Sequence, residues 1–216
     1  MLLSTTPFWL AGCDGRLSVL EPAGPAAETI ATLWWVMLAG ATAIFALVMA
    51  LLWLAFRREG PAREGTWIVG LGLVFPMTGL AALLAYGLIV GERLLPRDTA
   101  EVVTVQAEAR QWAWRFGYAD APGRVTERTL HIPAGRPVDV EITTADVIHS
   151  FWVPRLAGKL DAIPGRVNVL RIEADAPGRL AGLSSEYNGP GYARHGFEVV
   201  VHDAEGWDAF LAGEGE

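Results

Sequence analysis

Two long apolar stretches, separated by a short connector, constrain this chain more than any other feature of its sequence. The first runs from Thr29 to Phe56 and the second from about Thr66 to Val90. Each exceeds the roughly 20 apolar residues that an α-helix needs to cross a bilayer. The sequence therefore predicts two transmembrane helices, in agreement with a mean hydropathy of +0.30 and a charged fraction of only 19%.

The connector between the two stretches carries Arg57, Arg58 and Arg63. Positive charge on a short loop marks the cytoplasmic side of a membrane protein. We therefore expect both outer ends of the helical pair, and everything after residue 100, to lie outside the cytoplasm. Glycines and Pro76 in the second stretch favour close helix packing in lipid, against another membrane subunit or against the first helix.

The region after the helices has a different character, because short β-like runs alternate there with Pro- and Gly-rich turns. Two of these runs show alternating apolar residues, namely Val138, Val140 and Ile142, then Val167, Val169 and Ile172. Runs of this kind predict a β-sandwich of roughly 100 residues. The predicted fold class is a membrane-anchored α plus all-β chain with four parts: a leader and loop (1–28), a helical hairpin (29–92), a β-domain (98–205) and a C-terminal tail (206–216).

The net charge of −7 argues against a nucleic-acid partner, which would need a basic surface. The acidity suits either the steering of a basic partner or simple solubility. The chain has one cysteine, Cys13, so no intrachain disulfide can form.

The segment from Ile142 to Asn168 contains VIHSFWVP followed by KLDAIPGRVN. It resembles the copper-site region of subunit II of the haem-copper terminal oxidases. The resemblance implies a cupredoxin-like sandwich in which His149 stands at the first ligand position of a dinuclear copper centre. It also implies subunit I and other oxidase subunits as partners, with the haems and CuB in subunit I.

The remaining ligand positions fall in the segment from Gly182 to Gly196. Copper-binding members of the family place two cysteines, a histidine and a methionine where this chain has Ser184, Asn188, Tyr192 and His195. Bridging thiolates hold such a copper pair, and neither a hydroxyl nor an amide can replace them. The resemblance therefore predicts a degenerate site and no cofactor bound by this chain.

Two loops give mixed signals about the electron donor. The turn from Tyr187 to Tyr192 resembles the Tyr-x-Gly-Pro-Gly-aromatic turn of copper-free ubiquinol oxidases. The loop from Lys159 to Arg166 is closer to the cytochrome c oxidase version. Glu186 matches a glutamate that reaches a Mg²⁺ shared with subunit I, or else it is an exposed loop carboxylate.

An aromatic segment from Gln111 to Phe116 resembles the part of subunit II that faces the electron donor or subunit I. Strand alternation predicts that its two tryptophans lie on the same sheet face, as core or interface packing or as a point of electron entry. From the resemblance we expect interface positions at Trp112, Trp114, Asp161 and Arg166.

Three further predictions concern Cys13 and the four histidines. Leu10 to Cys13 resembles a bacterial lipobox, with Cys13 lipidated, although no Lys or Arg precedes it; the alternative is an uncleaved apolar leader with a buried thiol. His149 and His195 could hold one Cu(II) or Zn²⁺ ion with a tyrosine or carboxylate, or serve as hydrogen-bonded structural residues. His131 and His202 are expected on the surface.

The main functional hypothesis is subunit II of a bacterial quinol oxidase, a multi-pass protein of the inner membrane with a copper-free periplasmic scaffold domain. Oxidation of quinol, reduction of O₂ and proton translocation would then belong to the complex, with the chemistry in subunit I. The first alternative is a cytochrome c oxidase subunit that has lost its copper relay. The second is a membrane-tethered cupredoxin-like module for copper delivery or assembly.

Overall fold

The computed structural model describes residues 15–57, 64–96 and 101–214. Cys13, Arg58 and Arg63 lie outside these ranges, so the lipidation site and most of the predicted cytoplasmic connector are not described. The chain separates into two compact units. One is helical and spans Thr32 to Leu95. The other is β-rich and combines the described residues up to Ala31 with those after Leu95.

The helical predictions are confirmed with small shifts of boundary. Helix α1 spans Pro25–Arg57, and the second apolar stretch forms a π-helical segment, Thr66–Val74, that continues into helix α2, Phe75–Arg93. Both are long and apolar enough to cross a bilayer. The π-helical bonding ends with the Phe75 amide, which donates to the Gly70 carbonyl. The next residue, Pro76, has no amide hydrogen with which to continue it.

The β-rich unit is a sandwich of two five-stranded sheets, which confirms the predicted fold class. Its strands are β1 (Val103–Arg110), β2 (Ala113–Tyr118), β3 (Val125–Glu127), β4 (Thr129–Pro133), β5 (Val138–Thr144), β6 (His149–Trp152), β7 (Leu160–Ala162), β8 (Asn168–Ile172), β9 (Gly178–Ser184) and β10 (Gly196–His202). The sheet orders are β3-β2-β1-β5-β8 and β4-β10-β9-β6-β7. The β1–β5 and β4–β10 pairs are parallel, and the other pairs are antiparallel.

Alternation predicted the core face of β5 correctly, because its apolar residues Val138, Val140 and Ile142 are fully buried. The same prediction was wrong for the run at Val167 and Val169, which are 61% and 42% exposed. Strand β8 lies at the edge of its sheet, and Val169 pairs with the outward-facing Glu141. Only Ile172 of that run reaches the core.

Strand β9 did not figure among the predicted runs, since glycine and serine occupy two of its buried positions. A Cβ at Gly182 would overlap the ring of Phe197 on the neighbouring strand β10. The ring therefore fills the space that a side chain would take. The strand ends at Ser184, one of the copper-ligand positions.

The predicted C-terminal tail is instead mostly helix α3, Ala204–Ala212. The Asp203 side chain caps it by accepting a hydrogen bond from the Gly206 amide, and Gly213 ends it with a φ of +89°. Its apolar face buries Trp207 and Phe210 against the sandwich. The helix is thus part of the domain core.

The start of α1 also belongs to the β-rich unit. The backbone amide of Ala27 donates to the carbonyl of Leu156. The amide of Ala23, which precedes the helix, donates to the carbonyl of Arg155. Gly24 lies so close to the carbonyl of Glu173 that a side chain would not fit. These contacts join the entry to the first membrane helix to the loop after β6.

Candidate functional site

The degenerate copper positions meet where the ends of three strands of one sheet converge. His149 opens β6, Ser184 closes β9, and His195 immediately precedes β10. Asn188 lies in the loop between β9 and β10. All four side chains are buried, with at most 4% of each residue exposed. The structure therefore brings these four of the predicted positions together.

The carboxamide of Asn188 lies at the centre of this cluster. Its Nδ2 is 2.7 Å from Nδ1 of His149 and 2.8 Å from Nδ1 of His195. It is also 3.3 Å from Oγ of Ser184, a hydroxyl that accepts a hydrogen bond from the Ser150 amide at 3.2 Å. One amide thus connects every buried side chain of the site.

On its other side, His149 contacts Asp146, a residue that sequence reasoning missed. The His149 Nε2 lies 2.7 Å from Asp146 Oδ1. Burial opposes ionisation of this carboxyl, but hydrogen bonds from His149 and from the backbone amides of Gln111 and Val147 lower its pKa to about 2. A charged carboxylate therefore accepts the Nε2 proton of His149 at neutral pH. Asp146 lies in a turn without any motif that could have identified it.

His195 is held neutral by its surroundings. Burial lowers its pKa to about 4, although the backbone of Ala113 raises it. Its ring stacks on Trp114 with centroids 5.6 Å apart, and Trp114 also meets His149 edge-on at 6.4 Å. The two imidazoles lie 5.1 Å apart and nearly perpendicular. The site therefore packs two imidazoles, of which His195 is neutral, against one indole.

The donor set does not fit a dinuclear copper centre. The chain's one cysteine, Cys13, lies far outside this segment of the sequence, so no thiolate can bridge two metal ions. An amide N–H, which donates hydrogen bonds and cannot ligate a metal, faces both imidazoles. Among the described residues, no group of three or more His, Cys, Asp and Glu is placed to hold a metal ion.

Tyr192 does not join the cluster. It begins a single 3-10 turn, Tyr192–Arg194, and is 46% exposed. Its ring packs on Tyr187, 5.2 Å away. The resemblance placed Tyr192 at a ligand position, but the structure turns its side chain to the surface.

The two tryptophans do not share a sheet face, so that prediction was wrong. Trp112 lies in the turn between β1 and β2, which breaks the alternation, and is 36% exposed; Trp114 is fully buried in the core. Trp114 is consequently not available as an interface residue. The Trp112 indole covers Gly191, where a Cβ would overlap it, and thereby packs the turn of the Tyr187–Tyr192 loop.

Ligand pockets in proteins measure about 300–1,000 Å³, and a cavity of about 660 Å³ opens beside the cluster. Asp161, Glu186 and Asn188 line it together with apolar residues. The carboxylate of Glu186 accepts a hydrogen bond from the Tyr187 amide at 3.0 Å. Arg166 is exposed nearby in sequence, and Asp161 pairs with Lys159 at 3.9 Å.

The other two histidines are not simple surface residues, contrary to expectation. Nδ1 of His131 lies 2.8 Å from Nε2 of His202, and both rings stack on Phe210 of α3. Burial, followed by the neighbouring His202, lowers the pKa of His131 to about 4. The pair is half-buried because α3 covers it. The missed helix explains the wrong prediction.

Gln111 is a second residue that sequence reasoning missed at the site. Its side-chain Nε2 donates to the Asn188 carbonyl at 2.6 Å, and its backbone amide donates to Asp146 Oδ2 at 2.8 Å. It therefore fixes both the loop that carries the amide and the carboxylate behind His149. Its only signal in the sequence was its place in the aromatic segment.

Comparison with known proteins finds relatives among the oxidase subunits II. The family model for the periplasmic domain of cytochrome c oxidase subunit II matches residues 124–204. Cytochrome c oxidase subunit 2 of Alkalihalophilus pseudofirmus is 30% identical over 98% of this chain and 66% of its own length. Quinol oxidase subunit 2 of Bacillus cereus is 26% identical over 94% of this chain and 75% of its own length. The chain thus spans about two thirds to three quarters of these relatives.

A solved structure shows the same fold. The periplasmic domain of subunit II of cytochrome oxidase from Bradyrhizobium japonicum superposes with a TM-score of 0.50, covering 55% of this chain and 96% of that domain at 23% identity. At this level of identity the likeness shows the fold of the sandwich alone. The chain belongs to the subunit II family of the haem-copper terminal oxidases, as a member whose copper-ligand positions hold no thiolate.

Proposed function

We propose that this chain is the subunit II of a quinol oxidase, in which it serves as a scaffold and carries no electrons. The complex would oxidise quinol and reduce O₂ to water, with the haems, CuB and proton translocation in subunit I. The observation that carries this proposal is the buried amide of Asn188 between the two imidazoles. A site of this composition offers no redox-active group between the periplasmic surface and subunit I.

The missing relay supports quinol as the donor. A soluble cytochrome docks outside the membrane and needs a relay to reach the haems, whereas quinol is dissolved in the bilayer and can reach subunit I directly. The Tyr187–Tyr192 turn, with its resemblance to copper-free ubiquinol oxidases, supports the same donor. The similarity to the Bacillus cereus quinol oxidase subunit covers nearly the whole chain.

A second candidate is a cytochrome c oxidase that passes electrons to subunit I without a copper relay. Two observations favour it: the Lys159–Arg166 loop, and the 30% identity to the cytochrome c oxidase subunit of Alkalihalophilus pseudofirmus. The site geometry is the same in both cases. Only the donor differs.

The test is oxygen consumption by the purified complex. Under the proposal, a reduced quinol sustains turnover, and reduced cytochrome c supports none above the rate without enzyme. Turnover with cytochrome c and none with quinol would replace the proposal by the second candidate.

We further propose an inner-membrane location, with the Arg57–Arg63 connector cytoplasmic and the sandwich periplasmic. The two apolar helices and the positive connector support this arrangement. Trp112, Asp161 and Arg166 would then face other subunits, with Glu186 near a Mg²⁺ shared with subunit I. Cys13 is the proposed lipidation site, which mass spectrometry of the mature N-terminus would test.

A further inference from the structure

We propose that the Asn188 carboxamide takes the structural place of a metal, cross-linking the site and closing a two-nitrogen cradle that would otherwise bind a single copper ion. This imidazole cradle consists of the Nδ1 atoms of His149 and His195, with the Asn188 amide between them. The inference concerns the site itself and does not depend on which donor feeds the oxidase.

The protons of His149 fix the orientation of the amide. Because the Asp146 carboxylate lies 2.7 Å from Nε2, that nitrogen carries a proton. The structure places the other nitrogen, Nδ1, against the Asn188 amide, where it is the acceptor. The only group of Asn188 that can satisfy it is the NH₂ group, which lies 2.7 Å away.

His195 completes the arrangement. Its depressed pKa keeps the ring neutral, and Nδ1 lies 2.8 Å from the same amide nitrogen. An amide NH₂ has two protons, so it can serve both imidazoles at once, each with Nδ1 as the acceptor. Nε2 of His195, which then carries the proton, is buried without a hydrogen-bond partner among the described residues. The amide thereby links the start of β6, the β9–β10 loop and the residue before β10.

The amide oxygen shows what this orientation costs. Oδ1 of Asn188 is buried without a hydrogen-bond partner among the described residues, a condition that costs about 1–3 kcal/mol. The two imidazole nitrogens therefore determine the orientation of the amide. In the same way, a metal ion bound by two nitrogen ligands would determine the position of its third ligand.

The same geometry defines what the cradle would bind. Metal–nitrogen bonds to histidine are roughly 2.0–2.1 Å long, so an ion close to the present amide nitrogen could reach both Nδ1 atoms after a small shift. Two imidazoles and one thiolate form the trigonal ligand set of mononuclear blue copper. Residue 188 is the position from which a thiolate would complete that set.

The experiment is Asn188→Cys in the full chain, purified in detergent and titrated with Cu(II) without oxygen. We expect one copper per chain and an intense visible thiolate-to-copper absorption. Asn188→Ser, of similar size but without a thiolate, should show no such band. The wild-type chain also controls for Cys13 and should neither bind copper tightly nor absorb. Adding His195→Ala to Asn188→Cys should abolish the band.

A folded Asn188→Cys chain that binds no copper, or binds it without the band, would show that the nitrogens do not converge and would overturn the proposal. Tight copper binding by the wild type would show that the amide does not close the cradle. A second measurement needs no variant: nitrogen-15 NMR of histidine-labelled wild type at neutral pH. We expect His149 and His195 both with the proton on Nε2; a proton on Nδ1 of either would equally refute the inference.

Discussion

Replacing Asn188 by alanine tests the energetic role of the amide directly. The substitution removes the donor that serves Nδ1 of both His149 and His195. Each buried acceptor left unpaired costs about 1–3 kcal/mol. The loss of the unpartnered Oδ1 returns a similar amount for one group. The net destabilisation expected is therefore about 1–3 kcal/mol.

The assay is urea unfolding of the full chain in detergent, followed by near-ultraviolet circular dichroism. The signal is suitable because Trp114 is buried and stacks on His195. With a urea dependence of about 1–3 kcal/mol per molar, the midpoint should fall by about 1 M. The matched control is Arg194→Ala, an exposed position in the same loop, where we expect a change within about 0.5 kcal/mol. Equal midpoints for Asn188→Ala and wild type would refute the reasoning.

The remaining predictions concern turnover, pH and topology. His149→Ala should leave oxygen consumption per assembled complex within about twofold, since no relay passes through it; a drop by orders of magnitude would assign it to electron transfer. The fold lowers the pKa of His131 and His195 from 6.5 to about 4. Between pH 6.5 and pH 4 the unfolded chain therefore binds more protons than the folded chain, so the free energy of unfolding has its full value above pH 6.5 and falls towards pH 4. Equal urea midpoints at pH 7 and pH 4.5 would contradict this. A reporter active only in the cytoplasm, fused after Glu216, should stay silent, and activity there would reverse the orientation.

Periodicity predicted the parts of the fold in which one residue type dominates a face. The apolar runs yielded both long helices, and the alternation at Val138, Val140 and Ile142 gave the core face of β5. It failed at β9, where the ring of Phe197 lies over Gly182. The pattern there depends on a neighbouring strand, which no local signal encodes.

Helix α3 could have been predicted. Asp203 at the N-cap, Trp207 and Phe210 three residues apart, and Gly213 after the last turn are ordinary helix signals. The glycine- and glutamate-rich end of the chain concealed them. That one omission also led to the wrong placement of His131 and His202, which the helix covers.

The resemblance located the site but could not describe its chemistry. Four of the positions that it named, His149, Ser184, Asn188 and His195, lie together in the structure. It could not show that Tyr192 turns outward or that an amide links the imidazoles. Asp146 escaped notice as well, because its role depends on a turn that brings it against His149.

The central claim is that this subunit II carries no copper relay, and the copper content of the purified oxidase complex tests it most directly. Elemental analysis should find only the copper that CuB requires, one ion for each oxygen-reducing site, and the oxidised complex should lack near-infrared absorption from thiolate-bound copper. An additional pair of copper ions per complex, accompanied by such absorption, would contradict the account.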